Sequence, residues 1–210
     1  FNRNFYLMPA HFLSAIAMGV LLGLIYYQLG NNIAACQNRM GSIFFMCCLL
    51  AFSAMSSLEL FITERSIFVR ERANGYYYPS AYFISKTVFD IIPLRIFPPI
   101  IMGSIAYYLI GLRHTSFTHF LWFLLIMVLF NIVSGALCIA IGSIAPSVAS
   151  GNVTATLFIL ASALFGGFLL NKGSIPVYLS WIQYLSPWNY AFEALLINEL
   201  YGFKIIIDPK

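Results

Sequence analysis

The chain has 210 residues, 61% of them apolar and 9% charged, with 20 Phe, 13 Tyr and a mean hydropathy of +0.87. Soluble domains carry about 45–50% apolar and about 25% charged residues, and a 23.6 kDa globule has too little interior for this much apolar surface, so a soluble fold is excluded and lipid must act as solvent. Eleven Lys and Arg against seven Asp and Glu leave a net charge of +4, too sparse a set of cations for a phosphate-binding surface, which excludes nucleic acid as a partner.

A helix needs about 20 mostly apolar residues to cross the hydrocarbon core, so charge-free intervals locate the spans. The opening FNRNFYLMPAHF lacks the basic region and cleavage site of a secretory signal. The first apolar run, 9–29, therefore reads as a retained span, with Pro9 in its opening turn and Gly30, Asn31 and Asn32 at its end. Within it, Ala15, Gly19 and Gly23 form a small-xxx-small ridge that lets another helix approach closely. A second span is expected over 41–62. The loop 63–79, TERSIFVRERANGYYYP, is the most polar part of the chain; Thr63 is placed to cap a short amphipathic helix lying on the membrane. A third span, 86–111, carries Asp90 and Arg95 and is expected to kink at Pro93, Pro98 and Pro99. Between Arg113 and Lys172 there is no formal charge, which suits a fourth span over 120–141 and a fifth over 153–170, joined by a turn at 142–152. The segment 171–210 is cut at Ser186 and Pro187 into pieces too short to cross; rich in Trp and Tyr, it reads as an interfacial or re-entrant helical hairpin. The expected fold is all-α integral membrane, one transmembrane domain over 1–210.

Basic residues near the span ends set the orientation. Arg3, Arg65, Arg70, Arg72 and Lys86 lie on one side, and Arg39, Arg113 and Lys172 on the other, which places the N-terminus and the loop 63–86 in the cytosol. Of the four cysteines, Cys47, Cys48 and Cys138 lie in apolar runs and only Cys36 is near a polar turn, so no disulfide framework is implied. GFLLNKGS around Lys172 lacks the Gly that a phosphate loop places before its Lys. His11, His114 and His119 have no neighbouring Cys, Asp or Glu to complete a metal site, and no nucleophile-and-base pair stands out. No catalytic residue, metal or cofactor is expected within these residues.

Three groups of residues remain. The polar loop fits either a solvated face against anionic lipid or a docking lever for a soluble partner. Phe45, Cys48, Leu49 and Phe52 fall at i, i+3, i+4 and i+7, one helical face that either lines a cavity for a flat apolar ligand or packs against protein or lipid. Glu59, Asp90 and Arg95 sit within or beside apolar spans, where an unpaired charge costs at least about 2.5–3.5 kcal/mol. Arg95 is expected to turn toward Glu59, as a structural clamp or, alternatively, to contact substrate.

The segments CQNRMGSIFF, LELFITERSIFVRERANGYYYPSAYFISKTVFDIIPLRIFPPI and SPWNYAFEALLINELYG resemble, in order and spacing, the membrane domain of the ABC transporter G subfamily. The resemblance implies a dimer of half-transporters, each with six spans preceded by an ATPase domain that uses ATP and magnesium. The sixth span and the ATPase lie outside these residues. It further implies that loop 63–79 holds a coupling helix that meets the ATP-binding domain of the same polypeptide, through Glu64, Arg65, Phe68, Arg70, Glu71 and Arg72. A substrate cavity on the dimer axis would be bordered by Phe44, Phe45, Cys48, Leu49 and Phe52 with Leu160 and Ala163 of the fifth span, and an exit plug formed by Phe168 and Leu169 in GGFLLN. Cys48 and Leu49 stand where multidrug members tend to carry polar groups, which favours an apolar, sterol-like substrate. The expected function is export of hydrophobic small molecules or lipids by alternating access, across the plasma membrane or an organelle membrane. The alternative is a membrane scaffold or dimerisation subunit that transports nothing.

Overall fold

The computed structural model describes residues 7–30, 32–86, 92–113, 116–170 and 176–201. Asp90, His114 and Lys172, singled out above, lie outside the described residues. Among those described, the elements are α1 (Leu7–Ile25), α2 (Ile33–Ser53), α3 (Met55–Ala73), α4 (Pro79–Lys86), α5 (Ile92–Ile110), α6 (Phe117–Ile144), α7 (Val148–Leu164), a 3-10 turn (Val177–Leu179), α8 (Ser180–Leu185) and α9 (Pro187–Leu200). Among the described residues the architecture is all-α, as the long charge-free apolar intervals lead one to expect. Four helical stretches are long and apolar enough to cross a membrane, the second being α2 and α3 together; α7, with 17 residues, is a shorter fifth.

Several boundaries differ from the sequence expectation, each for a local reason. The helix α1 stops at Ile25 rather than at residue 29, because the chain turns to satisfy the end of α5: Gln28, at φ +42°, donates its N–H to Leu109 O and Leu29 donates to Ile110 O, at 3.1 and 3.0 Å. Those carbonyls would otherwise be orphans of the last helical turn. The expected second span and polar loop are not separate pieces. Only Ala54 interrupts the helix between Ile33 and Ala73, and Thr63 is no cap: it lies inside α3 and its hydroxyl donates to Glu59 O at 2.7 Å. The helix α5 runs through Pro98 and Pro99. The turn between α6 and α7 shrinks to residues 145–147, because Ala145 precedes a proline and is extended. Ser147 then opens α7 with a reciprocal capping box to Ser150.

In lipid the helices gain little from hydrophobic association, so close packing and interhelical hydrogen bonds hold them together. The expected ridge on α1 does this against α5. A Cβ on Gly19 would lie 3.0 Å from Met102 O, and one on Gly23 would lie 2.5 Å from Leu109 Cβ. The long helix α6 is central, packing on α5, α3, α9, α7 and α2. It carries Phe123, Met127 and Phe130 into a core shared with Met46, Leu50, Leu58, Tyr107, Trp188 and Leu195. One end of the bundle gathers the α6–α7 turn and α3; the other gathers the α1–α2 and α5–α6 links and the end of α9.

Candidate functional site

The helical period decides which side chains α2 presents outward. Phe45 and Phe52, seven residues apart, are 46% and 41% exposed, with Cys48 and Leu49 half-buried between them. On α7, Leu160 is exposed, and so are Val153, Leu157 and Leu164. These four form a 4-3-4 stripe that sequence reading missed, although the same spacing argument applied to α7 finds it. Phe44 and Ala163 do not share this outward face. Adjacent residues on a helix point about 100° apart, so Phe44 turns inward, and Ala163 is buried in the core. Phe44 stacks on Phe168 at 4.8 Å between ring centroids, meets Phe192 edge-on at 6.1 Å and lies 5.8 Å from Trp188.

The expected fifth span stops at Leu164, so Phe168 and Leu169 sit in a non-helical loop rather than on a helix end. Two glycines explain the break. A Cβ on Gly166 would lie 2.8 Å from Trp188 Cδ1, and Gly167 adopts φ +87°, which side chains rarely tolerate. Phe168 packs inward on Phe44 and Phe192, whereas Leu169 is exposed. The break between α8 and α9 is pinned nearby, with Ser186 Oγ donating to Ser162 O at 2.9 Å.

Arg95 does not turn to Glu59. Its side chain is buried beside the α2–α3 joint, where the guanidinium donates to Ala54 O and Ser56 Oγ, both at 3.1 Å, and to Ser57 Oγ. Within its own segment Ala54 O accepts the Ser57 N–H, a tight i+3 contact at 3.1 Å, so Arg95 supplies donors where the helix ladder is interrupted. Asn131 of α6 fixes the backbone of this residue by donating to Arg95 O at 3.0 Å, and Gly135 leaves room for the stem, since a Cβ there would lie 3.1 Å from Nε. Glu59 is exposed and instead accepts from Asn152 Nδ2 at 2.8 Å, tying α3 to α7.

The six residues assigned to coupling divide into three sets. Phe68 lies 4.5 Å from the ring of Tyr82 on α4 and 6.2 Å from Tyr77, and those two tyrosines stack on each other. Tyr77 donates to Glu71 at 2.6 Å and Tyr82 approaches Glu64 at 3.5 Å, so both carboxylates serve an aromatic clamp that holds α4 on α3. The hydrogen bond to Glu71, with lesser help from desolvation and the carboxylate charge, pushes the Tyr77 phenol up to about 12. Arg65 donates to Ala145 O at 3.0 Å and caps the last carbonyls of α6. Arg70 and Arg72 stand exposed on the last turn of α3.

A polar cluster at the opposite end was not anticipated from sequence. Arg39 forms a buried ion pair with Glu199 of α9 and donates to Leu29 O at 2.9 Å. Glu199 also accepts the backbone N–H of Arg113, at 3.1 and 3.0 Å to its two oxygens. Close by, His119 and Asn198 are joined through their side chains at 3.2 Å, and Asn198 donates to His119 O at 3.0 Å.

A family model described as ABC-2 type transporter matches residues 1–200 of this bundle. The chain belongs to the ABC-2 type transporter family. It is 43% identical over its whole length to ABC transporter G family member 24 of Dictyostelium discoideum, of which it covers 18%. It is 38% identical over 92% of its length to the broad substrate specificity ATP-binding cassette transporter ABCG2 of Mus musculus, covering 29% of that protein. A probable ATP-dependent permease of Saccharomyces cerevisiae is 36% identical over 94% of the chain, which covers 19% of it. The chain thus spans less than a third of these relatives, as a multi-pass membrane domain of the G-family kind.

Proposed function

We propose that this ABC-2 domain is the membrane-spanning part of an ATP-driven exporter that moves hydrophobic small molecules or lipids by alternating access. The observation that carries the reading is the continuity of α2 with α3. The helix that presents Phe45 and Phe52 outward passes, across Ala54 alone, into the segment that presents Arg70 and Arg72. A push on the basic end therefore reaches the aromatic face through a nearly unbroken rod. An ATP-binding domain of the same polypeptide, using ATP and magnesium, docks on α3 and α4 in the cytosol, where the N-terminus also lies. A second half-transporter covers the outward stripes of α2 and α7, enclosing substrate between Phe45, Phe52 and Leu160 of the two subunits. Cys48 and Leu49 offer little hydrogen bonding there, which favours an apolar ligand.

In the full-length protein, Phe45→Ala is expected to reduce substrate-stimulated ATP hydrolysis more than basal hydrolysis. Equal loss of both would assign Phe45 to packing. Absence of ATP-driven uptake into inside-out vesicles by the unaltered protein would return the chain to a scaffold.

A further inference from the structure

An indole N–H lies without a partner at mid-depth in the bundle. Trp188 is 1% exposed and packs 5.3 Å from the ring of Phe130, which stands at the middle of the 28-residue α6. Among the described residues its Nε1 donates to nothing. In hydrocarbon such a donor has no water to turn to and needs an acceptor. The helix start beside it is short of acceptors too: Ser186, in the N-cap position of α9, sends its hydroxyl to Ser162 O and gives the first turn no side-chain cap.

Trp188 lines a narrow groove between α6 and α7, about 300 Å³ including its open mouth. Ser134 of α6 and Ser162 of α7, both buried, bring hydroxyls to the same recess. The sides are apolar: Leu137, Ile141 and Phe158, each half-buried. Because they belong to two membrane helices, the mouth faces lipid rather than water. From Ser134 to Ile141 the groove follows about 10 Å of α6. The space closed off from the mouth is about that of one water molecule, which admits a hydroxyl on a slender chain but no ring system. Phe158 stands about 100° round α7 from Leu157, so the groove is separate from the exposed stripe of that helix.

We propose that this groove binds a neutral straight-chain alcohol dissolved in the bilayer. Its oxygen accepts the Trp188 N–H, its hydroxyl donates to Ser134 or Ser162 Oγ, and its chain lies along Leu137, Ile141 and Phe158. A hydroxyl matches the recess because it both accepts and donates. A carboxylate does not, since no lining residue is cationic and an ionised head is costly at this depth. Binding here needs neither ATP nor transport, so the site stands whatever becomes of the exporter reading.

The test uses the full-length protein in phosphatidylcholine vesicles, without nucleotide, and octanol carrying a photoreactive diazirine in its chain, with adducts located by mass spectrometry. Saturable labelling is expected at residues 137–141 and at Phe158, competed by 1-octanol but not by octane or octanoate at the same membrane concentration. Labelling of Leu121, Leu125 and Leu129, exposed on α6, serves as the reference for simple partition into lipid. Trp188→Phe removes the donor with little change of shape and is expected to lower groove labelling about tenfold while leaving the reference unchanged. If Trp188→Phe does not accumulate, Leu137→Trp, which fills the mouth, carries the test and is expected to abolish saturable labelling at Phe158. Octane competing as well as octanol, labelling no greater in the groove than on the reference face, or parental labelling in a folded Trp188→Phe protein overturns the proposal. A groove that stays unlabelled in the folded parent holds an adventitious water only, and overturns it likewise.

Discussion

Replacing Arg72 with Gln separates a docked lever from a solvated helix end. Arg72 is exposed on the last turn of α3, where its interaction within the chain is with the helix macrodipole, worth about 0.3–1 kcal/mol. If nothing docks there, Arg72→Gln costs no more than that, about a fivefold change at most. If Arg72 faces a carboxylate of an ATPase domain in a partly buried contact, leaving that carboxylate unpaired costs about 2–5 kcal/mol, or at least about thirtyfold. The clamp of Phe68, Tyr77 and Tyr82 keeps the segment's shape in either case, since neither carboxylate it uses belongs to this contact. We therefore expect Arg72→Gln in the full-length protein to reduce transport at least about thirtyfold while ATP binding and surface level are retained. Arg65→Gln is a control with another phenotype: it uncaps the Ala145 carbonyl and should lower yield. Transport within about fivefold of the parent in both Arg70→Gln and Arg72→Gln would refute docking through this helix end.

Three further outcomes follow from the geometry. Asn152 matches a glycosylation sequon, but it lies inside α7 with its amide donating to Glu59, so it is expected to remain unmodified; a glycan found there by mass spectrometry would invert the orientation. Gly23→Ala brings a methyl to 2.5 Å from Leu109 Cβ, against an ordinary carbon contact of about 3.5–4.0 Å. Because Leu109 Cβ cannot rotate away, α1 and α5 must part by about 1 Å, and a loss of about 1–3 kcal/mol is expected in detergent-unfolding measurements. Tyr77 has its phenol raised from the ordinary value of 10.0 to about 12, so the proton is held more tightly in the folded state. Its contribution is fully present below pH 10 and lost as pH rises through about 12. The stability gap between the parent and Tyr77→Phe is accordingly expected to be the same at about pH 6 and about pH 8.5.

The linear sequence determined the class of molecule. Composition required lipid, uncharged intervals located most of the membrane helices, Ala15, Gly19 and Gly23 announced a close helix contact, and Ser186–Pro187 marked the break between the last two helices. Each of these is a local property, carried by residues within a few turns of one another. Tertiary structure decided what a helical period cannot. Periodicity gives the angle between Phe44 and Phe45 but not which of the two meets Phe168, Trp188 and Phe192, because that depends on where α9 and the loop after α7 come to rest. The Arg95 guanidinium went to Ala54, Ser56 and Ser57 rather than to Glu59, since a one-residue interruption of the helix ladder left a carbonyl there and Asn152 took the carboxylate. Arg39 and Glu199 are 160 residues apart in the chain. Neither stands out locally, and only the packing of α9 against α2 brings the two together and buries both.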